Sequence, residues 1–324
     1  MSDRQTVDFL ASVRLLEGLD EADLAELARV TRRRMVREGQ ALWRQGEVGR
    51  EVFFVVDGSV ATSLRVPGDR TIELGRAGPG EILGEIALLD GRGHTLGAHV
   101  TETATLLALG RLDFAALLVT QNPAAFGLRR RLASHLIARL RGQIRTLAVA
   151  LGGESDDVPS QAAAPVAAAL EQCRPPDSKY VRRMASFNDF DPLALWGFLT
   201  SGKYVRCPPG QTLVAEGTPS NDYYLTINGA VEKVLVRGDR RIRVGLAGPG
   251  MAFGYESLID GLPSPVTAIT RERALLLVIP NNVFDQLFYR EDAVSRVFLE
   301  AIQRDLLVAV RQALSQWARL RASV

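Results

Sequence analysis

Apolar positions along the chain fall into two patterns, and each pattern occurs twice. The first is a set of short runs: Leu42–Trp43, Val52–Val56, Val60–Val66, Thr71–Leu74, Ala98–Val100 and Thr105–Leu109. A second set follows at Tyr223–Ile227, Val231–Val236, Arg241–Leu246, Val266–Ile269 and Ala274–Ile279. Many short strands separated by glycine turns at near-regular spacing predict a barrel or jelly roll. Each set is followed by an apolar stripe at steps of three and four, which predicts a long helix. The first stripe is Leu128, Leu132, Leu136, Leu140, Ile144, Leu147 and Leu151. The second is Val294, Phe298, Ile302, Leu306, Val310, Leu314 and Trp317. Ahead of the first set, Leu24, Leu27 and Ala28 predict a helix over Asp20–Arg33, with Asp20 as N-cap and Asp23 in its first turn.

The two patterns recur because the chain repeats itself. Gly39-Gln40-Ala41-Leu42 returns as Gly210-Gln211-Thr212-Leu213, and Phe53–Gly58 returns as Tyr224–Gly229. Ala77-Gly78-Pro79-Gly80 returns as Ala247-Gly248-Pro249-Gly250, and Leu83–Gly91 as Phe253–Gly261. A repeat this long is two copies of a whole domain, not a solenoid unit. The expected organisation is a first domain over 1–151, a linker over 152–185 and a second domain over 186–324. The linker, Gly/Ser/Asp-rich and then Ala/Pro-rich, has little apolar periodicity, although alanines over Val166–Gln172 leave a short helix open.

Composition narrows the class without changing this picture. The chain has 324 residues, 47 % hydrophobic and 23 % charged, with a formal charge of +2, which argues against a dedicated nucleic-acid binder. Two cysteines, Cys173 and Cys207, are too few for a disulfide framework or a zinc site. The N-terminus shows no apolar signal region, and no apolar run is long enough for a transmembrane helix. The expectation is a cytoplasmic protein with no metal, no membrane contact and no specific nucleic acid. The histidines are His94, His99 and His135, expected at a turn, a strand and a helix surface; no catalytic or Walker motif accompanies them. Arg32-Arg33-Arg34 reads as a solvated helix end, and Arg129-Arg130-Arg131 as three directions around the long helix. Pro67–Arg70 and Arg237–Arg241 read as matching hairpin turns.

The order helix, Gly-Gln-x-Leu, Phe-Phe-Val-Val-x-x-Gly, Gly-Pro-Gly, Gly-Glu-Ile-Ala-Leu-Leu and long helix resembles the cyclic-nucleotide-binding domain, over about residues 8–150 and again 186–322. Tandem copies are similar to the regulatory subunit of cAMP-dependent protein kinase. The resemblance implies a mainly β fold: two jelly rolls, each flanked by helices and followed by a long C-terminal helix. It also implies a phosphate-binding cassette in each copy. In copy one this is Gly84, Glu85, Ile86 and Ala87, then Arg92, His94 and Thr95. Free N–H groups at the start of the cassette helix would attract a phosphate. The resemblance gives Glu85 the ribose hydroxyl and puts His94 where the family carries its phosphate arginine. Arginine offers a permanent charge and a planar fork, whereas histidine is charged only when protonated. Tight cAMP binding is therefore disfavoured, with Arg92 as a second cation nearby.

Copy two departs further. Its cassette reads Gly254, Tyr255, Glu256 and Ser257, with Tyr255 at the ribose-glutamate place and Ser264 at the phosphate-arginine place. Serine supplies no charge. The expectation is a non-enzymatic regulator, with no cofactor required, that senses cAMP, cGMP or a cyclic dinucleotide mainly through domain 1. Signalling would run through helix or oligomer rearrangement, the long helices (Leu128, Leu132, Leu136, Leu140; Phe298, Ile302, Leu306, Val310) pairing between chains or between copies, a homodimer in the first case. An unidentified protein partner would receive the signal. A winged helix-turn-helix is not expected after the second barrel, since residues 281–324 are taken up by a short helix and the long stripe. The alternative is a ligand-free pseudo-sensor that serves as an interaction or assembly module.

Overall fold

A computed structural model of the chain describes residues 3–66, 70–120, 122–150, 170–177, 181, 184–237 and 240–322. The chain divides inside a helix into two compact units, one reaching to His135 and one covering Leu136–Leu320.

Unit 1 opens with α1 (Asp3–Ser12), a 3₁₀ turn (Arg14–Leu16) and α2 (Glu21–Val30). Asp20 caps α2 as expected, its carboxylate accepting the Asp23 N–H at 2.8 Å. The helix stops short of the predicted Arg33. Thr31 turns extended, and its hydroxyl donates to the Ala28 carbonyl at 2.9 Å. Arg32-Arg33-Arg34 therefore lies on strand β1 (Thr31–Val36), which corrects the helix-end reading.

Then come β2 (Ala41–Trp43), β3 (Glu51–Val66), β4 (Arg70–Ala77), β5 (Ile82–Leu83), α3 (Glu85–Asp90), β6 (Gly97–Gly110), α4 (Arg111–Val119) and α5 (Pro123–Ala150). The sheet runs β1-β6-β3-β4, with β2 on β6 and β5 on β3, all antiparallel. The predicted runs 52–56 and 60–66 are one strand, as are 98–100 and 105–109. Bulges near Asp57–Val60 bend β3 without ending it. Residues 52–55 of β3 and 106–109 of β6 are apolar without alternation because both faces are buried there. Phe53, Val55, Leu106 and Ala108 point into the barrel, while Val52, Phe54, Leu107 and Leu109 pack on the helices.

Gly58 makes the bend possible. Its φ is +83°, and a Cβ there would fall on the Thr103 carbonyl oxygen; Gly229 repeats this at φ +85°, against Arg273. Gly58→Ala should cost about 2–4 kcal/mol, from the left-handed backbone plus a clash that side-chain movement cannot relieve. A lower urea midpoint at unchanged m-value is the expected result.

Unit 2 contains α6 (Pro192–Leu199), capped by Asp191, and two four- to five-stranded antiparallel sheets. One sheet is β13 (Ala252–Phe253), β10 (Asp222–Asn228), β15 (Ala274–Pro280), β8 (Lys203–Cys207) and β7 (Glu171–Cys173). The other is β12 (Arg240–Ala247), β11 (Val231–Arg237), β14 (Thr267–Thr270) and β9 (Thr212–Val214). Helix α7 (Glu256–Asp260) follows β13, and α8 (Asn281–Tyr289) and α9 (Ala293–Ala322) follow β15. The expected linker thus supplies a strand: Glu171 and Gln172 are extended, and 152–169 lies outside the described residues. The tips at 67–69 and 238–239 also lie outside, but Val66 pairs with Arg70 and Arg237 with Arg240, as hairpins require.

Both stripes form helices, α5 and α9; Leu151 lies outside the described residues. Leu128, Leu132, Leu136, Leu140, Phe298, Ile302, Leu306 and Val310 are each no more than 4 % exposed within one chain. Of the consecutive Arg129, Arg130 and Arg131 on α5, Arg131 is structural: its Nε and Nη2 donate to the Glu17 carbonyl at 2.9 and 2.7 Å. No described helix is long and apolar enough to cross a membrane.

Candidate functional site

The cassette of unit 1 begins where β5 ends. Gly84, at φ +87°, turns the chain into α3, and its Cα passes close to the Glu51 carbonyl, His94 and Trp43. A side chain here would strike the Glu51 oxygen at 2.8 Å and approach both rings at 3.6 Å. Glu85 and Ile86 are buried at the start of α3, with Glu85 only 2 % exposed. Ala87 lies on α3, its side chain outside the described residues.

The loop after α3 is pinned by backbone bonds. The Gly46 N–H donates to the His94 carbonyl and the His94 N–H to the Glu47 carbonyl, both at 2.8 Å. This holds His94 at 8 % exposure, not on the turn surface the sequence suggested. Its ring stacks on Trp43 with centroids 4.2 Å apart and planes 13° apart. Trp43 in turn donates its Nε1–H to the Leu96 carbonyl at 2.9 Å and stacks on Phe53 at 5.7 Å. Two aromatic rings, Trp43 and behind it Phe53, therefore fix the imidazole plane beside the start of α3. Arg92 is exposed, its N–H bonded to the Asp90 carboxylate at 2.9 Å, and Thr95 is half-buried. The guanidinium of Arg111 packs directly on Gly91. His99 lies on β6 and His135 on α5, both half-buried.

Unit 2 keeps the same backbone and changes the chemistry. The Gly217 N–H donates to the Ser264 carbonyl and the Ser264 N–H to the Thr218 carbonyl, both at 2.9 Å. Ser264 therefore sits where His94 sits. Its hydroxyl is used internally, donating to the Val266 carbonyl at 2.8 Å. Gly254 repeats Gly84, with φ +83° and the Asp222 carbonyl 2.9 Å from an added Cβ. Tyr255 is fully buried and lies 6.2 Å from Tyr223, whose ring also packs against Phe198, Phe284 and Phe298. That cluster belongs to the helix-packed side of the sheet. Glu256 and Ser257 are buried as well. Inside the barrel, Tyr224 and Phe253 stack at 5.0 Å. Burial pushes the Tyr224 phenol up, Asp222 adding to the effect through a 3.4 Å hydrogen bond.

Two arginines near this second cassette are already engaged. Arg237 forms a fork on Glu216 at 2.7 and 3.1 Å. Arg141, on α5 but within unit 2, grips the Asp260 carboxylate at 2.5 and 2.8 Å and donates to the Pro263 and Leu262 carbonyls. From the other side, Asp305 on α9 accepts the Ala252 N–H at 2.8 Å. Burial pushes the Asp305 carboxyl up to about 8, against the lowering effect of Lys233. Trp43, Arg141 and Asp305 carry no sequence motif. The only signal for Trp43 was the rarity of tryptophan in the chain, three in all.

The sequence profile of the cyclic nucleotide-binding domain matches residues 33–121 and 204–291, more than half of the chain. The chain belongs to this family and carries its domain in tandem. A cyclic nucleotide-gated potassium channel of Mesorhizobium japonicum is 38 % identical over 105 residues, 32 % of this chain and 28 % of the channel. The cyclic AMP receptor protein of Thermus thermophilus is 36 % identical over 123 residues, 36 % of this chain and 56 % of that protein. The type I-alpha regulatory subunit of cAMP-dependent protein kinase from Mesocricetus auratus is 36 % identical over 95 residues, 29 % of this chain and 55 % of the subunit. The matched regions thus span between about a quarter and just over half of these relatives. Among solved structures, the regulatory domain of Toxoplasma gondii PKA with cAMP is 17 % identical, covering 91 % of this chain and 94 % of that one. Its TM-score of 0.34 is too low to support a reading of function or arrangement.

Proposed function

We propose that the chain is a non-enzymatic regulator that binds a cyclic nucleotide in its first repeat, while the second repeat is a structural copy. The observation that carries this is the contrast between two cassettes with matching backbone hydrogen bonds. In the first, a buried carboxylate (Glu85) and a buried imidazole (His94) flank the turn at Gly84. In the second, a tyrosine is packed into the helix side and the serine hydroxyl is bonded to its own loop. Glu85 would take a ribose hydroxyl, His94 the phosphate, and Trp43 would hold the imidazole plane. The chain's relatives include a cyclic AMP receptor protein and a regulatory subunit of cAMP-dependent protein kinase, which supports cAMP as the first ligand to test.

The test is thermal unfolding of the full chain with cAMP, cGMP, a cyclic dinucleotide or ATP. Ligand at about 100-fold over its dissociation constant adds roughly 2.7 kcal/mol and moves the transition by several degrees. Glu85→Ala and His94→Ala should abolish the shift, and Ser264→Ala should leave it intact. No shift with any nucleotide would sink the sensor reading in favour of an assembly module, which the exchange of the family's arginine for His94 favours.

Dimerisation belongs to the same proposal. The eight stripe residues are covered within the chain, so pairing of long helices would use their arginine-bearing outer faces. Sedimentation with and without nucleotide measures this directly; one ligand-independent monomer mass would refute it.

A further inference from the structure

The two repeats differ at one sheet edge. In unit 2, β8 lies between β15 on one side and β7 on the other. The outer pairing sets Glu171 opposite Arg206, Gln172 opposite Val205 and Cys173 opposite Tyr204. In unit 1 the equivalent strand is β1, paired with β6 from Thr31↔Leu109 to Val36↔Ala104. Among the described residues no strand occupies its other side. Four consecutive residues, Arg32 to Met35, are exposed, Met35 at 70 %. An open edge offers a row of backbone donors and acceptors to any extended chain.

Charge selects the occupant. Arg32, Arg33 and Arg34 are consecutive, so alternation puts Arg33 on one face of the strand and Arg32 and Arg34 on the other. Arg34 reaches Glu51 at 2.6 Å and Arg32 reaches Asp113 at 3.9 Å; Arg33 has no ion pair among the described residues. A second copy of β1 would set arginine against arginine, which cross-strand like charge disfavours. An acidic strand would meet the charge of Arg33, which no ion pair among the described residues engages. The chain already uses this arrangement once, with Glu171 placed against Arg206.

We propose that β1 is a docking edge for an extended acidic peptide of a partner protein, added as an outer strand in the place that β7 takes on β8. Backbone bonds would supply affinity, and Arg33 would select a carboxylate on its face of the strand.

The test uses the full chain and a fluorescently labelled short peptide that alternates glutamate with valine. Anisotropy should show saturable binding, weakened about tenfold or more by Arg33→Glu. The same peptide with alternate backbone nitrogens methylated keeps its charge but cannot complete a ladder, and should not bind. Amide exchange should slow within 31–36 when the unmodified peptide is added. Equal binding of the methylated peptide, of a lysine-for-glutamate peptide or of a single-stranded oligonucleotide would overturn the proposal. So would unchanged affinity in the Arg33→Glu protein, whose folding is checked by its unfolding midpoint.

Discussion

Arg141→Ala is expected to destabilise unit 2 by about 2–3 kcal/mol and to free the loop between Gly261 and Ser264. The guanidinium makes four hydrogen bonds there, two to Asp260 and one each to the Leu262 and Pro263 carbonyls. The side chains of the pair are only 12 % and 18 % exposed, so water would not fully replace the lost partner. Breaking one half of a buried pair costs about 3–5 kcal/mol, and the residual exposure places this case lower. Lysine should not rescue it, because a point charge cannot satisfy a carboxylate and two carbonyls in one plane. Arg145→Ala, exposed on the same helix, is the control and should change stability by no more than about 0.5 kcal/mol. Urea unfolding gives the energy, and amide exchange at Leu262 and Ser264 locates it. An unchanged midpoint together with unchanged exchange would show the clamp to be idle.

The second large effect is a pH dependence centred on Asp305. Burial raises its carboxyl to about 8 in the folded chain, against a usual value of 3.8. The folded protein therefore holds a proton that the unfolded chain releases. The stability that this group contributes is fully present below about pH 4, is lost as pH rises toward 8 and levels off above that. The slope contributed by this single group is at most about 1.4 kcal/mol per pH unit. Asp305→Asn keeps an acceptor for the Ala252 N–H and removes the titration. It should therefore be more stable than the parent at pH 8 and show a flatter profile between pH 5 and 8. Urea midpoints of both proteins across that range decide the matter. A variant weaker at every pH with the parent's slope would mean that Asp305 is ionised against Lys233.

Strand positions were legible where a strand is apolar on both faces, as in 52–56 and 223–227, because no other element of that length tolerates such a run. Their continuity was not. Asp57-Gly58 resembles a turn by composition, and only the close approach of Gly58 to Thr103 reveals a bend within one strand. Strand β1 was missed because three arginines after a helical pattern look like a helix end, whereas pairing with β6 overrides that local preference. The cassette was visible through Gly84-Glu85 and its echo at Gly254-Tyr255. The residues that give it shape were not, since His94 meets Trp43 across 51 positions of sequence and Arg141 meets Asp260 across 119. Six pairs of positive-φ glycines recur between the two repeats, from Gly39 with Gly210 to Gly91 with Gly261. Backbone requirements were thus preserved between the copies while cassette side chains diverged.

Helix α5 begins on Pro123 under the first barrel, with Leu128 and Leu132 in that barrel's helical core, and from Leu136 onward it is counted with the second unit. The doubled gene segment therefore did not produce two interchangeable cassettes. A recombination event that moved either half alone would carry away, or strand, buried residues such as Ile144 and Leu147.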